Sequence, residues 1–160
     1  GGPLTVRDGV GLLIAVVVCF AAAGVGSLAT TAAIPTWYAT LNKPSWNPPN
    51  WIFGPVWSLL YLMMAVAAWQ VWRTAGWDGA RLALGLFAIQ LVLNVGWSVV
   101  FFGLHRPGWA FGEIVVLWCA ILATLLLFRP ISPVAALLLA PYLAWVTFAG
   151  ALNFVVWRMN

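Results

Sequence analysis

Apolar residues in this chain neither alternate nor keep to one helical face; they run on uninterrupted. Five stretches, 9–33, 51–72, 82–104, 108–128 and 133–157, hold a single charged residue between them, Glu113. A hydrocarbon core of about 30 Å takes about 20 residues of α-helix, so each stretch is long enough to cross. Membrane β-strands would alternate over about ten residues, and these runs do not. The pattern predicts an all-α integral membrane protein, a five-transmembrane-helix bundle forming one domain over 1–160.

The punctuation supports that division. Gly76, Asp78 and Gly79 follow the second stretch, Pro107-Gly108 the third, and Arg129-Pro130-Ile131-Ser132-Pro133 the fourth. Such short connections make neighbouring helices antiparallel. The connection 34–50 alone is long, and Pro35, Pro44, Pro48 and Pro49 exclude regular helix from it. Trp37, Tyr38 and Trp46 in the same segment are too apolar for open water, so it is expected to fold back as a lid over one mouth of the bundle.

Composition removes the soluble classes. With 64% hydrophobic and 6% charged residues and a mean hydropathy of +1.02, the chain cannot coat a globule with charge. The net charge of +4 comes from seven basic residues spread singly between apolar runs. No nucleic-acid patch results. Cys19 and Cys119 lie inside apolar runs and read as small buried residues. Gly1-Gly2-Pro3 reads as a processing remnant, and no cleavable signal peptide is visible.

Small residues recur every fourth position in the first stretch: Gly11, Ala15, Cys19, Ala23, Ser27 and Thr31. Ala136, Ala140 and Ala144 do the same in the last. Small stripes allow close helix approach in lipid, here within one subunit or across a homodimer.

Twelve tryptophans fit an interfacial belt only in part. At about 1.5 Å per residue, Trp97, Trp118 and Trp145 lie well inside their stretches. Amides at similar depth need partners or a cavity. Gln90, Asn94 and Trp97 share one helical face; Tyr142, Trp145, Ala149 and Asn153 share another; Trp57, Tyr61 and Met64 share a third. Three faces of aromatic and neutral hydrogen-bonding groups on the loop side describe a cavity for a large, flat, mostly apolar ligand. No ring of charges suits an ion.

Other chemistry is poorly supplied. Glu113 is close enough to an interface to snorkel or to pair with Arg106 or Lys43. His105, the single histidine, has no companion to build a metal site, and no nucleophile with a base partner can be assembled. No catalytic residue is indicated, unless Trp145 and Trp57 exchange electrons with a light-excited ligand. No cofactor is required and no metal is expected.

The residues also carry a likeness. Trp37-Tyr38, Pro44-Ser45-Trp46-Asn47-Pro48-Pro49-Asn50-Trp51, Pro55-Val56-Trp57 and Leu60-Tyr61 resemble the signature of the translocator proteins, also called tryptophan-rich sensory proteins or peripheral benzodiazepine receptors. Leu93-Asn94, Trp97, Phe101-Phe102-Gly103, Gly108-Trp109-Ala110, Pro141-Tyr142-Leu143-Ala144-Trp145, Leu152-Asn153 and Trp157-Arg158 continue the likeness to residue 158.

That resemblance implies a five-helix bundle whose cavity, closed by the first loop, binds porphyrins such as protoporphyrin IX and isoquinoline or benzodiazepine compounds. It would make Trp46, Trp57, Tyr61, Asn94, Trp97, Trp109, Ala149 and Leu152 cavity residues, with Trp145 in the wall; the face analysis adds Gln90 and Tyr142. The family's sterol motif needs a tyrosine where Phe154 stands, which argues against cholesterol and for a bacterial-type member in a cell membrane; eukaryotic relatives lie in the mitochondrial outer membrane. The implied role is a receptor or sensor that binds, moves or regulates tetrapyrroles. The alternative is a light- and oxygen-dependent porphyrin-degrading enzyme.

Overall fold

The computed structural model describes residues 3–160; Gly1 and Gly2 of the expected processing remnant lie outside the described residues. Within them the chain is helical without a strand, and four helices are long and apolar enough to cross a membrane. These are α1 (Val6–Ala33), α2 (Phe53–Ser98, prolonged to Gly103), α3 (Pro107–Phe128) and α4 (Pro133–Met159). The chain is an integral, multi-pass membrane protein.

Helices α1 and α4 start at a side-chain cap and α3 and α4 at a proline, while α2 follows directly from a 3-10 turn. Thr5 accepts from the Asp8 N–H while the Asp8 carboxylate accepts from the Thr5 N–H, a reciprocal box that opens α1. Ser132 caps α4, whose first residue is Pro133, and Pro107 is the first residue of α3. Proline there lacks only an N–H that would have no helical partner.

The second and third predicted spans join differently from the expectation. The loop predicted around Gly76 to Gly79 is helical on both sides, and α2 runs for 46 residues with one non-helical residue, Gly76 (φ 71°, ψ 175°). That combination is almost exclusive to glycine, so one residue does the work expected of a connection. Beyond it the chain turns back: the Tyr61 hydroxyl donates to Asn94 Oδ1 at 2.8 Å and the Gln90 amide reaches Met64 Sδ at 3.8 Å. The two arms of α2 therefore lie side by side.

At its far end the second arm widens into a π-helical turn, Val99–Gly103, where the Leu104 N–H bonds the Val99 carbonyl. Such a turn inserts an extra residue and re-aims the side chains that follow it. Here it turns both Phe101 and Phe102 inward, 3% and 7% exposed. His105 follows with φ 57° and stacks flat on Trp37, centroids 4.5 Å apart.

The segment 34–50 carries short 3-10 turns at Tyr38–Thr40 and Asn50–Ile52. Tyr38 is buried and donates its hydroxyl to Asn47; burial pushes its phenol up to about 12, so it stays a neutral donor. The Lys43 ammonium donates to the carbonyls of Tyr38 and Leu41. Asn42 and Asn160 bond each other, tying the loop to the C-terminus.

Candidate functional site

A cavity of about 550 Å³ lies in the loop-side half. Trp57 is its hub: its ring centroid is 6.0 Å from Tyr61, 6.4 Å from Trp97 and 6.3 Å from Trp145, the last at an interplanar angle of 89°. Edge and tilted contacts of this kind hold rings at angles that cannot close over one another. The aromatic wall leaves open space beside it.

The floor is a chain of neutral hydrogen bonds. Tyr61 donates to Asn94 Oδ1, Asn94 Nδ2 to the Tyr142 hydroxyl at 2.6 Å, and that hydroxyl to Gln90 Oε1 at 2.7 Å. All four residues are at most 4% exposed. A buried amide without partners would be costly at this depth, and here each spends its groups on the next. Asn153 similarly accepts from Trp97 Nε1 and donates to the Pro107 carbonyl, fixing the Trp97 ring and joining α4 to the start of α3.

Seven of the eleven predicted site residues line this cavity: Trp57, Tyr61, Asn94, Trp97, Trp145, Ala149 and Leu152. Gln90 and Tyr142 lie one layer below and hold Asn94. Trp46 is half exposed and meets the cavity through Phe148, the ring centroids 5.7 Å apart. Trp109 is 78% exposed and is not brought to the cavity, because its position on the first turn of α3 faces outward. Trp118, the other deep tryptophan, donates to Thr147 on the outer face of α3 and α4.

One whole wall was not foreseen. Phe20, Ala23, Gly24, Ser27, Thr30 and Thr31 of α1 line the cavity, so half of the small-residue stripe borders open space and does not pack a helix. Its other half does pack: a side chain at Gly11 would collide with the Trp72 indole, and Cys19 is buried. The missed signal is a change of chemistry along the stripe, from Gly and Ala to Ser27 and Thr31, with Thr30 beside them. Their hydroxyls donate to carbonyls of their own helix and leave oxygen lone pairs over. Of the α4 stripe, Ala136 is buried while Ala140 and Ala144 face outward.

Glu113 also departs from expectation. Lys43 is spent on loop carbonyls, Arg106 is exposed, and both carboxyl oxygens of Glu113 are buried without a hydrogen-bond partner. Trp145 Nε1 is the remaining buried polar atom in that position among the described residues. No group of three or more His, Cys, Asp or Glu side chains that could hold a metal occurs among them.

Comparison with known proteins places this architecture. The model of the TspO/MBR family matches residues 15–158, from the middle of α1 through α4 and including every wall of the cavity. The chain belongs to the TspO/MBR family. It is 46% identical over 151 residues to the tryptophan-rich protein TspO of Chlorobaculum tepidum, covering 93% of this chain and 95% of that one. It is 45% identical over 126 residues to the human translocator protein, covering 78% and 75%. Protein CrtK of Rhodobacter capsulatus is 42% identical over 145 residues, covering 90% and 89%. Membership of a family of translocator and sensory proteins supports a membrane receptor- or sensor-type role.

Proposed function

We propose that this TspO/MBR member is a membrane receptor or sensor that binds protoporphyrin IX and related tetrapyrroles in the loop-side cavity, and that isoquinoline or benzodiazepine-type compounds compete there. The observation that carries the reading is the cavity itself, about 550 Å³ walled by Trp57, Trp97, Trp145 and Tyr61 with no charged residue in its lining. That volume is in the range of small-molecule sites, and angled aromatic walls with a few neutral polar groups suit a flat apolar macrocycle. The ligand's ionised substituents would stay at the membrane surface beneath the loop.

On this reading the protein is a single domain crossing a cell membrane five times, since the two arms of α2 make separate passages on either side of Gly76. The loop 34–50 serves as the lid, a second copy pairs with the first in the bilayer, and neither a cofactor nor a metal is needed. Cholesterol is not the natural ligand, because Phe154 lacks the hydroxyl that the sterol motif requires.

A second reading, light- and oxygen-dependent degradation of the bound porphyrin, is favoured by the perpendicular Trp57–Trp145 contact in the cavity wall. The test is a spectrum of the purified protein with protoporphyrin IX, first in the dark and then illuminated. Saturable perturbation of the porphyrin band with quenching of tryptophan fluorescence is the expected result. Its absence overturns the binding reading. A new absorbing product that forms in light with the wild type, and not with Trp57→Phe and Trp145→Phe at equal occupancy, selects the enzyme.

A further inference from the structure

The cavity leaves Glu113 without a role, and the surroundings of that residue point to one. It sits on the second turn of α3, and its carboxyl faces the bare backbone of Gly96 on the second arm of α2; a Cβ built there would lie 3.7 Å from Oε1. Both oxygens are shielded from solvent and neither has a hydrogen-bond partner. Among the described residues no Lys, Arg or His nitrogen is within 4.0 Å; the ion pair found is Asp8 with Arg73 at the opposite end of the bundle.

The neighbouring elements supply no compensation. From α4 the titratable group close enough to feel its charge is the Tyr142 hydroxyl, whose proton is already donated to Gln90. From α2 the facing group is Gly96, without a side chain. His105 and Arg106, just ahead of α3, are exposed. An ionised carboxylate in such a place lacks water, cation and donor together, whereas the protonated acid is neutral and fits the notch that the glycine leaves.

We propose that Glu113 is a proton-binding site within the membrane, holding a proton at neutral pH and thereby keeping α3 seated on Gly96. The proton is the ligand; it is taken up when α3 packs and released when the contact opens. Because Asn94 and Trp97 flank Gly96 on the same turn of α2 and carry the floor and wall of the cavity, this contact also steadies the cavity from behind. The inference does not depend on which molecule the cavity binds.

The chain has only three acidic side chains, Asp8, Asp78 and Glu113, which makes infrared spectroscopy of the full chain in lipid vesicles decisive. At pH 7 the wild type and Asp78→Asn should both show a protonated-carboxyl C=O band that shifts in D2O, and Glu113→Gln should lack it. A wild-type spectrum with ionised-carboxylate bands alone at pH 7, or a protonated band that survives in Glu113→Gln, overturns the proposal. The glutamine variant is the uncharged isostere and keeps the notch filled. The thermal midpoint of the wild type should therefore fall as pH is raised from the ordinary glutamate range through neutrality, while that of Glu113→Gln falls less; equal falls show that the proton does not seat α3.

Discussion

The two ends of this bundle use the same helices to opposite effect. Away from the loop, Met64, Ala65, Ala67, Val71, Ala80, Leu117, Ile121, Ala135 and Leu139 are at most 1% exposed, and Phe87 stacks on Phe128 with rings 18° from parallel. Alanines let the backbones approach and branched aliphatics fill what remains. At the loop end, Trp57 meets Trp145 edge-on and Tyr61 and Trp97 at a tilt, and a cavity remains beside them. The amount of apolar side chain does not separate the halves; its shape does. Small residues beside aliphatic ones close a helix interface, and indoles braced on one another hold it open.

Variants that exchange these properties should behave differently at the two ends. The largest effect on stability is expected from Leu139→Ala in the closed half, about 2–5 kcal/mol from lost packing and the void left behind. Thermal unfolding in detergent measures it, and ligand affinity should be nearly unchanged in the protein that remains folded. A comparable loss of affinity would mean that the halves are not separable.

Next comes Gly76→Ala, at the turn between the arms of α2. Its φ of 71° with ψ 175° is a region open to glycine, and forcing another residue there costs about 1–3 kcal/mol. The loss should appear in the thermal midpoint, and a neutral outcome would show that the arms can reverse by another geometry. Tyr142→Phe, on the boundary between the halves, removes the donor to Gln90 and the acceptor of Asn94. It should cost about 1–3 kcal/mol for the polar atoms left unpaired and, unlike Leu139→Ala, should also weaken ligand binding by freeing Asn94.

The smallest effect on stability is expected from Pro48→Gly with Pro49→Gly in the loop. Proline restricts the unliganded backbone, so its loss raises the entropy given up when a ligand is covered. The variant should release ligand faster with little change in melting. An unchanged off-rate in stopped-flow fluorescence would remove the loop from the role of lid.

Much of this division was legible in the chain. Spans showed because a bilayer demands long charge-free runs, and the cavity faces of α2 and α4 showed because Asn94, Trp97, Tyr142 and Trp145 are conspicuous at membrane depth. The α1 wall was not legible, since Ser27 and Thr31 satisfy their own hydroxyls and a small residue facing a cavity has the same spelling as one facing a helix. The reversal near Gly76 was legible, but not its form, in which one glycine's dihedrals replace an expected loop. Trp109 shows the converse: a family likeness marks a position without giving the direction in which its side chain points.

The central claim, that the open half is a ligand site because its rings hold it open, is tested most directly by filling it. Ala149 is 7% exposed and lines the cavity from α4, so Ala149→Phe places a ring in the empty space. Titration with protoporphyrin IX, followed by tryptophan fluorescence, should show binding lost by at least about tenfold, equivalent to roughly 1.4 kcal/mol, with the melting temperature kept or raised. Unchanged affinity in a folded Ala149→Phe protein would contradict the account and place the ligand elsewhere.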